Sequence, residues 1–74
     1  MNYLEEGIER LLNEQTLLIK ERSALVAFTK TRMYLSLPSE VVTEIRKNIN
    51  DINVMISGVS AAIGTFKQEL KKGS

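Results

Sequence analysis

The 74-residue sequence has no cysteine, no histidine and no tryptophan, only one proline and four glycines, and two each of tyrosine and phenylalanine. Without cysteine there is neither a disulfide nor a thiolate nucleophile. Without histidine the commonest general base is missing, and the usual structural zinc sites go with it. No catalytic residue, metal ligand set or cofactor is therefore expected. A glycine-rich phosphate loop is missing too, because Gly58 and Gly64 stand alone inside a helical pattern. Paired carboxylates are the remaining acid–base arrangement. Glu5, Glu9, Glu40, Glu44 and Asp51 all flank apolar columns instead of interrupting them, as solvated or ion-paired surface does. The expectation is a protein that is not an enzyme.

Charge of one sign is not in excess either: ten Lys and Arg against nine Asp and Glu leave a net charge of +1, which selects no class of partner. Nor is there a long apolar run. The 15 residues from Ile52 to Phe66 carry no charge, but they include Asn53, Ser57 and Ser60 and fall short of the ~20 apolar residues a spanning helix needs. No membrane span is expected. Glu5, Glu6 and Glu9 occupy the place where a secretory leader would be basic and then apolar, so the expected location is the cytoplasm.

What is present is periodicity. Val42, Ile45, Ile49, Ile52, Ile56, Val59, Ile63, Phe66 and Leu70 alternate three and four residues apart without a break, which is the pattern of a helix seam. In the first half the apolar residues fall into two columns, Leu4, Leu11, Leu18, Leu25 and Leu12, Ile19, Val26, Met33. These bracket a third column of Ile8, Gln15, Arg22 and Thr29, which lies at the middle of the apolar face and is mostly polar. A further strip, Leu17, Ala24 and Phe28, gives this helix more apolar surface than one partner helix can cover. Among the small residues between Ser57 and Gly64, the two glycines suit the close approach of a further helix behind the seam.

Asn2 and Glu5 have the spacing of a capping box that starts the first helix. Pro38 disfavours helical geometry at Leu37 and is tolerated at the start of a new helix, so the chain turns there. The expected fold is all-α: a single domain over residues 1–74, with one helix over about 3–34, a turn over about 35–38 and a second helix over about 39–71. The closing Gly73-Ser74 carries no weight in this reading. An antiparallel, coiled-coil-like two-helix hairpin follows, in which residue i faces about 74 minus i. That register matches Leu4 with Leu70, Leu11 with Ile63, Leu18 with Ile56 and Leu25 with Ile49, and brings Glu5, Glu6 and Glu9 near Lys67, Lys71 and Lys72. It also sets Gln15 against Val59 and Arg22 against Ile52, two polar layers in an apolar seam. A chain this short gains only about 3–5 kcal/mol from one core. With disulfides and zinc excluded, self-association into a helical bundle, a dimer or larger, is the remaining staple.

Arg22, with Gln15 as its companion, has three competing readings. Its head reaches sideways to Glu21 of a neighbour, to Asp51 or to water while its stem covers apolar surface; or the polar layers fix register and oligomer number; or symmetry-related arginines surround an anion or nucleotide. Lys30, Arg32, Arg46 and Lys47 gather near the turn with Tyr34 close by. Glu40 and Glu44 share that end, so the cluster reads as a solvated face and nucleic-acid binding is not expected. With Leu17, Ala24 and Phe28 these residues form the candidate surface for a protein partner. In pattern and size the chain is generally similar to the small helical-hairpin accessory proteins of bacteria and their phages, although no motif identifies a family. The expected function is that of a self-associating hairpin binding another protein as an inhibitor, adaptor or assembly factor; the alternative is an oligomer that sequesters a small anion or nucleotide through Arg22.

Overall fold

A computed structural model describes residues 2–73 and contains three helices and, among those residues, no strand: α1 (Tyr3–Phe28), α2 (Arg32–Leu35) and α3 (Ser39–Lys72). The protein is all-α. Asn2 caps α1, its side-chain Oδ1 accepting a hydrogen bond from the Leu4 N–H at 2.8 Å, and Glu5 and Glu6 in the first turn complement the positive end of the helix. α3 starts directly after the extended Pro38, whose carbonyl accepts from the N–H groups of Val41 and Val42 at 3.0 and 3.1 Å. Glu40 near its start and Lys71 and Lys72 in its last turn follow the helix dipole.

α1 and α3 pack along their lengths in opposite directions. Gly7 lies against Phe66, Gln15 reaches Ser60 and Arg22 reaches Asn53, so the partner number falls as the α1 number rises. The result is a rod of 56 × 15 × 13 Å with a radius of gyration of 16.8 Å, whereas a compact domain of this length would have about 11 Å. A rod two helices wide has no enclosed centre. Among the described residues only Leu18, Tyr34, Ile52 and Ile63 are buried. On α3, Val42, Ile45, Ile49, Ile52, Ile56, Val59, Ile63, Phe66 and Leu70 are the shielded positions together with Ala62, and every other residue of that helix is exposed. On α1, α3 covers Leu4, Ile8, Leu11, Gln15, Leu18, Arg22 and Leu25.

The first helix does not run to residue 34. α1 stops at Phe28, and the connection to α3 contains the separate turn of helix α2. Two threonines make this break. The hydroxyls of Thr29 and Thr31 donate back to the carbonyls of Val26 and Phe28 at 2.6 and 2.7 Å, competing with the helical ladder, while the backbone tightens to i→i−3 bonds at Lys30 and Thr31. Thr31 then adopts an extended conformation and caps α2, accepting from the Tyr34 N–H at 3.3 Å. The reversal turns Tyr34 inward, edge-on to Phe28 with ring centroids 6.1 Å apart. Met33, which continues the Leu12, Ile19, Val26 column in sequence, is left outside and 65% exposed.

The glycines divide into two kinds. At Gly7 the helices approach closely: a Cβ there would stand 2.8 Å from Phe66 Cδ2 and nearer still to Cε2. At Gly58 and Gly64 a Cβ would meet nothing within 4 Å among the described residues. Gly58→Ala is therefore expected to raise stability by up to ~1 kcal/mol, the helix-propensity difference, while Gly7→Ala lowers it because the Phe66 ring must move. Urea unfolding of the two variants checks this. A loss at Gly58 would show that another helix presses on that side.

Candidate functional site

Two polar rungs cross between the long helices. The Gln15 Nε2 donates to Ser60 Oγ at 2.7 Å, and the Arg22 Nη1 donates to Asn53 Oδ1 at 2.9 Å. Both the donors and the acceptors are seven residues apart, so the rungs lie above one another on the same flank of the rod. Their acceptors are not the seam residues Val59 and Ile52 that the register sets opposite, but the next residues along. Ile52 is 6% exposed and stays in the seam, while the arginine head passes outward to the neighbouring Asn53. Asp51 is not its partner, because Asp51 lies on the other flank with Glu21. Among the described residues no carboxylate lies within ion-pairing distance of Arg22. Glu6 and Lys72, which the register brings to the same end of the rod, each pair locally, Glu6–Arg10 at 3.2 Å and Lys72–Glu69 at 3.6 Å. These are exposed pairs within single helices and add little to stability.

Among the described residues there is no cluster of three potential metal ligands, and every buried side-chain nitrogen or oxygen has a hydrogen-bond partner. Two shallow depressions open to solvent. One lies between Asn2, Leu4, Glu5, Leu70 and Gly73 at the end of the rod, the other between Glu21, Leu25, Asn48, Asp51, Ile52 and Met55 on its side. The first holds one carboxylate, Glu5, and the second two, Glu21 and Asp51. No helix among the described residues is long and apolar enough to cross a membrane.

The candidate partner residues differ in exposure. Leu17 is 61% exposed, and Ala24, Lys30, Arg32, Arg46 and Lys47 are open to solvent. Phe28 is half-buried, and Tyr34, expected beside the basic cluster, is 8% exposed because the threonine break folds it under Phe28. Other apolar residues are open as well: Val54 and Met55 on α3, outside its seam, and Leu12 and Ile19 on α1. The last two belong to the second column of α1. The signal that leaves them outside is a count of partners, since one α3 seam covers the Leu4 and Ile8 columns and no further long helix among the described residues remains for the Leu12 column.

No known protein family, curated protein or solved structure matches this chain.

Proposed function

We propose that this protein is a non-enzymatic, coiled-coil-like helical hairpin that self-associates into a bundle and acts by binding another protein as an inhibitor, adaptor or assembly factor. The observation that carries this reading is the imbalance of the rod: four buried residues against exposed Leu12, Leu17, Ile19, Val54 and Met55 along its sides. Aliphatic side chains aligned on a small helical protein mark surfaces that another helix covers. Light scattering of the purified protein at micromolar concentration is expected to give a dimer or larger, and a monodisperse 8.3 kDa particle would overturn self-association. For the partner, Leu17→Glu with Met55→Glu is expected to keep the oligomer mass and lose a protein that the parent captures from its host lysate. A parent that captures nothing counts against the adaptor role.

One observation favours a second reading, sequestration of a small anion or nucleotide: Arg22 bonds to a neutral amide and not to a carboxylate. The substitution Arg22→Leu separates the two. It removes a hydrogen bond worth a net ~0.5–1.5 kcal/mol and adds apolar contact over Ile52 of comparable value. Under the protein-binding reading the variant melts close to the parent, and neither protein is shifted by inorganic phosphate or ATP. A parent whose melting temperature climbs with either ligand, and a variant that loses the effect, would establish the second reading instead. A nucleotide carried through purification would also dominate the ultraviolet spectrum, since only two tyrosines absorb strongly.

A further inference from the structure

The face of α1 that α3 leaves open is itself a seam. Glu9, Leu12, Thr16, Ile19, Ser23, Val26 and, just past the helix end, Lys30 are spaced three and four residues apart in alternation. Leu12 is 43% and Ile19 39% exposed, and Val26 is half-buried. Read in reverse about Ile19, this series complements itself. Glu9 meets Lys30, Leu12 meets Val26, Thr16 meets Ser23 and Ile19 meets Ile19. Acid falls on base, aliphatic on aliphatic, and small hydroxyl on small hydroxyl. A parallel alignment would instead stack Glu9 on Glu9 and Lys30 on Lys30. Self-complementarity under reversal is what a two-fold interface between identical chains requires.

We infer that α1 pairs with α1 of a second copy, antiparallel, about a two-fold axis at Ile19, to give a dimer of four long helices. This rests on the self-association reading above and names its interface. Thr16 and Ser23 are small enough to let the helix axes come close, and the Thr16 hydroxyl already donates to the Leu12 carbonyl at 3.0 Å, so covering it strands no donor. Arg46, on the Asn53 flank of α3 and seven residues before it, stands level with the Lys30 end and adds a second base where the partner's Glu9 arrives. The exposed area also fits. At 5795 Å² the chain shows about 1,200 Å² more surface than a compact protein of 8.3 kDa, an excess larger than the ~800 Å² each partner covers in an interface of standard size. The opposite flank, with Leu17, Ala24 and Met55, does not repeat this when reversed about Leu17, its most exposed aliphatic residue on α1: Glu14 then falls on Glu21, acid on acid.

Three variants test the interface. Ile19→Glu is expected to keep its helical circular dichroism, because the site is open to solvent in the single chain, and to raise the dimer dissociation constant about tenfold or more. Glu9→Lys and Lys30→Glu should each weaken the dimer, and the two together should restore it. Ile19→Cys, in a chain with no other cysteine, should form a covalent dimer on mild oxidation where Leu17→Cys does not. A parent that is monomeric refutes self-association and this inference together. A parent that is oligomeric, but whose mass survives Ile19→Glu and whose Leu17→Cys variant cross-links in preference to Ile19→Cys, overturns the interface alone and leaves self-association standing.

Discussion

Ile63→Asp is expected to abolish most of the helical circular dichroism at room temperature. Ile63 is 7% exposed, the seventh of nine residues in the α3 seam and level with Leu11 in the register that Gln15 and Ser60 mark, and a carboxylate there has no basic side chain in the neighbouring seam layers to pair with. Burying an unpaired charge costs several kcal/mol, and a chain of this size has about 3–5 kcal/mol to lose. The control is Ile63→Val, which removes one methylene for about 0.5–1.5 kcal/mol and should remain folded. Ile52→Asp, at an equally buried site, should be milder: the Arg22 guanidinium sits on the adjacent Asn53 and is placed to swing onto a carboxylate at residue 52. Equal damage at both sites would mean that Arg22 is held too firmly to respond. A folded Ile63→Asp variant would mean that the seam is not what holds the helices together.

The second large effect is expected at the turn. Tyr34→Ala removes a ring that is 8% exposed and packs edge-on against Phe28. Truncating a buried aromatic residue costs about 3–5 kcal/mol, which corresponds to a fall in melting temperature of about 12 °C or more in a domain this small. Tyr34→Phe keeps the ring and its neighbours and should melt near the parent. If Tyr34→Ala also melted near the parent, residues 29–38 would be a tether and not part of the packed structure.

How much of this was legible in the sequence depends on the element. The α3 seam is the plainest case: Val42 to Leu70 alternates without a polar interruption, and on α3 those positions, with Ala62, are the ones shielded from solvent. The end of α1 was not. The column from Leu12 through Ile19 and Val26 continues in register to Met33, and nothing in the periodicity marks the point where Thr29 and Thr31 turn their hydroxyls back on the helix. That is a contest between two kinds of hydrogen bond of similar strength, and it is decided locally. Arg22 was conspicuous, but its partner was hidden, because Asn53 lies one residue beyond the layer that register arithmetic assigns. The open strip on α1 was visible as apolar residues but not as surface. Only the structure shows that α3 settles on the Leu4 and Ile8 columns and leaves Leu12 and Ile19 in water.

The antiparallel course of the two long helices also orders events in time. Phe28 and Tyr34 touch across a few residues of chain, Arg22 and Asn53 are 31 residues apart, and Gln15 and Ser60 are 45 apart. Each successive pair closes a longer loop, and the entropy of closure grows with loop length. Once the aromatic pair has formed, every further layer only extends a closed end, so α1 and α3 zip from the turn toward Leu4 and Leu70. The threonine break that ended α1 early is thereby also where folding is expected to start, and amide hydrogen exchange is expected to be fastest in the layers at the far end of the rod.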